Sequence, residues 1–224
     1  MKNFLLSFCW GLMGCGMLPS LAPAAIIAPG GTVGVSGTTV ALRPELAGLI
    51  LQDTIVNWSD GPGTTFGTLQ TRVVREDSTG TLDFYERIFN DPSSRNFVSA
   101  GRFEDYTGFT TDVDFRLDGL GDLGPDQVKR VGAGGTSVNF VFNEVGVGPG
   151  QSSLFLLTKT EALNYTTSQG DLIIGRDATG APSGDLSNLF PVYSPSGVPE
   201  PGTYAMISAG LVLLGIRRRA SYRG

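Results

Sequence analysis

Histidine is absent from the 224 residues, and the only two cysteines, Cys9 and Cys15, fall within the first fifteen positions. The first absence removes Ser-His-Asp and Cys-His nucleophile systems, the HExxH zinc site and any imidazole general base. Lysine is scarce as well: beyond Lys2 only Lys129 and Lys159 occur. The formal net charge is −5, so the chain is poorly suited to a phosphate backbone and no nucleic-acid partner is expected. Between the two ends no stretch of twelve residues keeps a convincing helical period, which argues against an α-rich body. Turn chemistry, by contrast, is plentiful. Glycine (32) and proline (13) make up about a fifth of the chain, short of the quarter to a third that marks low-complexity disorder.

The ends read as addresses. Met1-Lys2-Asn3 carries one positive charge and is followed by an uncharged apolar run from Phe4 to Leu18, then by Ala22-Pro23-Ala24-Ala25. A basic start, an apolar core and small residues describe a secretory signal peptide over residues 1–25, cut after Ala24 or Ala25. Leu12-Met13-Gly14-Cys15 also resembles a lipoprotein processing box in which Cys15 would take the lipid, and both readings stay open. With a simple signal peptide the exported product holds no thiol, disulfide or cysteine metal ligand.

At the other end Val198-Pro199-Glu200-Pro201 precedes an uncharged stretch, Tyr204 to Ile216, and then Arg217-Arg218-Arg219. The two prolines favour an extended backbone suited to a processing cleft. An apolar helix over 203–216, extended to Gly202, spans about 22 Å against a hydrocarbon core of about 30 Å, short for a permanent span. The three arginines act as a membrane stop, holding their end in the cytoplasm and placing everything before Val198 outside. This order of features over 198–224 resembles the PEP-CTERM sorting signal of Gram-negative bacteria. The resemblance implies recognition by an exosortase, an integral membrane cysteine protease, with transient residence in the inner membrane and delivery to the cell envelope, outer surface or extracellular polysaccharide matrix.

Between the addresses lies an acidic body: positions 26–197 hold eleven basic and twenty acidic side chains, a net of −9. Period-two alternation recurs in it. Val138, Phe140 and Phe142 share one strand face, and Leu82, Phe84 and Ile88 share another. Further strand-like runs are Thr32 to Val40, Leu51 to Trp58, Leu69 to Arg75, Asn96 to Phe103, Thr110 to Leu117, Ser153 to Thr158, Leu163 to Thr167 and Asp171 to Ile174. Turn sequences such as Asp60-Gly61-Pro62-Gly63 and Gly148-Pro149-Gly150 separate them. About ten short strands predict an all-β, jelly-roll-like sandwich over 26–179, with only Pro44 to Leu51 able to hold a helical turn or two. The Pro-, Ser- and Gly-rich segment 180–197 reads as a stalk. Pro29-Gly30-Gly31-Thr32-Val33-Gly34 lacks the lysine of a P-loop and reads as a flexible mature N-terminus. Arg43-Pro44-Glu45-Leu46-Ala47-Gly48, Gly67 to Arg75, Gly80 to Tyr85 and Asp118-Gly119 resemble a body module that recurs among PEP-CTERM proteins, which implies an all-β exported body and no catalytic residue.

Chemistry in the body is sparsely signalled. Asp112, Asp114, Asp118, Asp122 and Asp126 are spaced closely enough around glycine to suggest Ca²⁺ in the loop from Asp118 to Asp126, although Arg116 breaks the EF-hand pattern. The simpler reading puts Val113, Phe115 and Leu117 inward and the acids outward in solvent. Glycoside hydrolysis needs only two carboxylates, but no signature selects a pair. Lys129 and Lys159 are the only lysines available to a Ser-Lys system, and Lys159 reads as a solvated neighbour. Trp58, Tyr85, Tyr106 and Tyr165 could present rings to sugars, although strand-borne aromatics more often pack.

No catalytic or metal-ligating residue is assigned, and no cofactor beyond Ca²⁺ is a candidate. The sequence points to an exported, non-enzymatic surface or matrix protein beside exopolysaccharide or envelope glycan, the alternative being a matrix glycan hydrolase or lyase using paired carboxylates. Changing Pro199 and Pro201 together to Ala should leave an unprocessed form, read by immunoblot of cell fractions; normal processing of that variant would contradict the sorting assignment.

Overall fold

The computed structural model describes residues 25–142, 146–177 and 182–197. Their strands, in chain order, are β1 (Thr32–Gly34), β2 (Gly48–Ser59), β3 (Phe66–Glu76), β4 (Leu82–Asn90), β5 (Asn96–Phe103), β6 (Asp112–Arg116), β7 (Gln127–Val131), β8 (Ser137–Val141), β9 (Phe155–Lys159), β10 (Asn164–Asp177), β11 (Pro182–Leu186) and β12 (Phe190–Ser196). One sheet has the order β2-β3-β4-β9-β6; the other runs β1-β7-β8-β5-β10-β11, with β12 also on β10. Every strand pairing in both sheets is antiparallel.

Local chemistry explains the hairpins. Between β2 and β3 the Asp60 carboxylate accepts from the Thr64 backbone at 2.7 Å and from its hydroxyl at 2.8 Å, and Gly63 takes φ +72°. The inner faces follow the period of two: Leu82, Phe84 and Ile88 of β4 are fully buried, as are Val138 and Phe140 of β8. Phe84 meets Tyr106 edge-on, with ring centroids 6.0 Å apart. The same period puts Glu86 on that inner face, between Phe84 and Ile88. Its carboxyl is wholly buried with no hydrogen-bond partner among the described residues, and burial holds its pKa well above the carboxylate range.

The fold class expected from the sequence is corrected in three respects. Twelve strands divide five and seven around a β2-β3-β4 meander, which is not the eight-stranded double Greek key of a jelly roll. Among the described residues the helix content is a single 3₁₀ turn, Pro44–Leu46, and no helix there is long and apolar enough to cross a membrane. The C-terminal apolar helix is therefore not a feature of the described fold; 203–216, like the signal peptide up to residue 24, lies outside the described residues. Finally, the described part of the expected stalk belongs to the sheet. β12 pairs with β10 through seven residues, from Asn164 opposite Ser196 to Gly170 opposite Phe190, and buries Phe190 and Val192. Pro191 and Pro195 are tolerated because β12 lies on an edge, where a missing N–H breaks no ladder.

Two smaller expectations also change. The glycine-rich start is ordered: Thr32, Val33 and Gly34 pair with Lys129, Val128 and Gln127. Asp112 and Asp114 leave the inner face as alternation requires, yet they are buried beneath other parts of the chain, while Leu117 is 50 % exposed.

Two measurements check this architecture. Phe190→Ala should lower unfolding stability by about 3–5 kcal/mol in denaturant titration, the cost of emptying a packed aromatic site; a stalk would lose almost nothing. Asp83 gives a pH dependence. Burial pushes its pKa up to about 8, opposed by Arg43 and by the Tyr85 hydroxyl, against about 3.9 in an unfolded chain. Between about pH 4 and pH 8 the folded state keeps a proton that the unfolded state has lost. The contribution is therefore full at the acid end and declines as pH rises, by at most about 1.4 kcal/mol per pH unit. Asp83→Asn should flatten that decline, and an unchanged slope would assign it to other groups.

Candidate functional site

The outward face of the five-stranded sheet is partly roofed by the connection between β1 and β2. Gly37 starts the roof with φ +82°, and a Cβ there would lie 2.6 Å from the Phe115 ring and 2.7 Å from Leu117. Its N–H donates to Asp114 Oδ1 at 2.9 Å. The Thr38 backbone joins the end of β6, its N–H donating to Phe115 O and its carbonyl accepting from Leu117 N–H, each at 2.8 Å. Val40 N–H then donates to Asp118 Oδ2 at 2.8 Å. Arg43 closes the roof: its guanidinium bonds Asp112 at 2.5 Å and Glu45 at 2.9 Å. Beneath it, Leu46 packs with Val74, Tyr85, Phe155 and Leu157 as a second apolar cluster.

The edge of this roof and the turn after β6 enclose a cleft of about 490 Å³, whose chemistry comes from Gln70, Arg72, Tyr85, Arg116, Asp118 and Phe155. Tyr85 and Phe155 meet edge-on at 6.3 Å. The Arg72 guanidinium lies 4.8 Å from the centre of the Phe155 ring, and Arg116 lies 5.8 Å from that of Tyr85. Arg87 approaches the same Phe155 ring at 6.0 Å. Arg72 donates to Asp53 and Arg116 to Asp118, at 2.7 and 2.6 Å. Arg87 reaches only the Ser152 hydroxyl at 3.0 Å and has no ion-pair partner among the described residues. Burial would lower the Arg116 pKa, but Asp118 and Tyr85 together outweigh it and the net shift is upward; burial would raise Asp118, but Arg116 and the Val40 N–H together hold it below its usual range. Three arginines and two rings thus gather in an acidic protein. Planar guanidinium groups suit carboxylate oxygens, and here the buried rings of Tyr85 and Phe155 back them.

The residues singled out in the sequence are largely employed elsewhere. Of the four aromatics, Trp58 and Tyr106 lie in the core and Tyr165 packs against Tyr193 at 5.6 Å; Tyr85 alone reaches the cleft, and it is only 3 % exposed. The aspartates of the suggested Ca²⁺ segment are held by protein donors: Asp112 by Arg43, Asp114 by Gly37 and Phe115, Asp118 by Arg116 and Val40, Asp122 by Ser152. Among the described residues no three metal-ligating side chains converge. Lys159 is ion-paired with the buried Glu76 and is not a solvated bystander. Arg72, Arg116 and Phe155 carried no signal of their own in the sequence. Each occupies the outward phase of a strand that alternation does reveal, but only the register of β3, β4, β9 and β6 brings them together.

Val198, Pro199, Glu200, Pro201 and the arginines Arg217, Arg218 and Arg219 lie outside the described residues. No curated protein and no solved structure matches the chain. Residues 197–219, about a tenth of its length, match the PEP-CTERM protein-sorting motif, so the chain carries that motif near its C-terminus, as exosortase substrates do.

Proposed function

We propose that this is an exported, non-catalytic protein of the cell surface or extracellular matrix, processed by an exosortase, whose body holds acidic exopolysaccharide in the outer-face cleft. The sorting motif at 197–219 supports the route. The observation that carries the binding role is the placement of Arg72 and Arg116 against the rings of Phe155 and Tyr85. A body with a net charge of −9 repels an anionic polymer in general, so attachment needs a local excess of cations, and the cleft lining carries two arginines to one carboxylate. The rim adds apolar contact through Ile50 and the 68 %-exposed Leu120. A non-catalytic reading fits the lining, whose one carboxylate, Asp118, is tied to Arg116; glycoside hydrolysis employs two carboxyl groups across the bond.

Incubating the exported protein with the producer's exopolysaccharide tests the role. Binding without chain shortening is expected, weakened by added salt and by Arg72→Ala or Arg116→Ala about tenfold or more, the scale of a lost charged hydrogen bond. Shortened chains would show a hydrolase or lyase instead, and equal binding of a neutral polysaccharide would remove the arginines from the explanation.

A further inference from the structure

The chain from Ala25 to Ile27 is held as an extra strand on the free edge of β6. Ala25 N lies 2.9 Å from Asp112 Oδ1, and Ala25 O accepts from Val113 N–H at 3.1 Å. Ile26 bridges Asp112, and Ile27 N–H donates to Thr111 O at 2.9 Å. The Ile27 carbonyl accepts from the Thr111 hydroxyl at 3.2 Å and from Arg130 at 3.3 Å, and its side chain is buried. Residue 25 is thus a fixed part of the fold.

Charge sharpens this placement. Arg43 is shared between two carboxylates, Glu45 and Asp112, and Asp112 is only 7 % exposed. Lys159, on the neighbouring strand, is committed to Glu76. This corner therefore holds two anions on one cation, and at Asp112 Oδ1 the backbone nitrogen of Ala25, at 2.9 Å, lies closer than Arg43, at 3.4 Å. A cation there would balance the second anion, and hydrolysis of the preceding peptide bond makes one.

We propose that the mature protein begins at Ala25, and that its new α-ammonium group docks on Asp112 as the second cation of this corner. The inference rests on the export reading. A leader peptidase adds water across the Ala24–Ala25 bond: hydroxyl goes to the Ala24 carbonyl carbon, hydrogen to the Ala25 nitrogen, and transfer of the acid proton leaves a carboxylate on the released leader and an ammonium on the body. Ala22 and Ala24 are the small residues such an enzyme selects three and one positions before the cut. Cutting one residue later would remove both Ala25 contacts, leaving Asp112 Oδ1 with only the 3.4 Å bond from Arg43 and the N–H of the fully buried Val113 without its Ala25 acceptor.

N-terminal sequencing and intact mass of the exported protein should give Ala25 as the first residue. Brief acylation with an amine-reactive reagent should then label the Ala25 amine at least about tenfold more slowly than the same amine after unfolding, and Asp112→Asn should remove that protection. A first residue other than Ala25, including a lipidated Cys15, overturns the inference while leaving export intact. A chain that keeps its leader overturns the export reading too. Rapid labelling of Ala25 in the folded wild-type protein overturns the docking without recourse to any variant.

Discussion

The buried ion pair between Arg43 and Asp112 is the joint on which the outer face depends. One partner comes from an irregular connection, the other from the last strand of the five-stranded sheet, and no backbone ladder joins them directly. Leaving either charge buried alone costs about 3–5 kcal/mol, comparable with the whole stability of a modest domain. The pair fixes the roof over β6, and the roof supplies Val40 and Leu46 to the cleft. It also presents Asp112 to the segment Ala25 to Ile27. Cleft geometry and anchoring of the N-terminal segment are consequences of one carboxylate with several donors.

The body's acids fall into two populations with opposite physics. For Asp53, Asp118 and Glu45 burial is the largest single influence, but arginines together with Gln70, backbone N–H groups and Lys159 outweigh it, and their pKa values are lowered. Glu86, Asp83 and Asp114 lie where burial wins, and their pKa values are raised. The formal charge therefore overstates the negative field at neutral pH, since part of it is stored as protonated carboxyl groups. Around the cleft the surviving negative charges are tied to guanidinium groups, so an anion approaching Tyr85 and Phe155 meets mainly cationic planes.

Strand content was legible because burial on one face writes a period of two: β5 spans Asn96–Phe103 as alternation predicts, and β4 carries Leu82, Phe84 and Ile88 on its buried face. Runs that seemed separate, Leu163 to Thr167 and Asp171 to Ile174, are one long strand, since the intervening Gly170 continues the ladder opposite Phe103. β12 was hidden by composition, its prolines suggesting a linker while Phe190 and Val192 keep the alternation of a buried strand. Phase alone also misplaced Asp112 and Asp114, because outward from a sheet does not mean solvent when a distant loop returns to cover it. The cleft was illegible for the same reason. Arg72, Arg116 and Phe155 stand far apart in sequence, and only strand order, a long-range property, makes them neighbours.

The inclusion of β12 in the sheet has a kinetic meaning. Ser196 is still paired with Asn164, and the very next residue, Gly197, opens the matched sorting motif. Fully extended, the five residue steps from Ser196 to Pro201 reach no more than about 18 Å. A protease must therefore work hard against a folded body or seize its substrate before the last strand has zipped onto β10. On the proposed export route, folding and processing draw on one stretch of backbone, and the docking of β12 on β10, with β11 between them in the chain, is the step that competes with the cut.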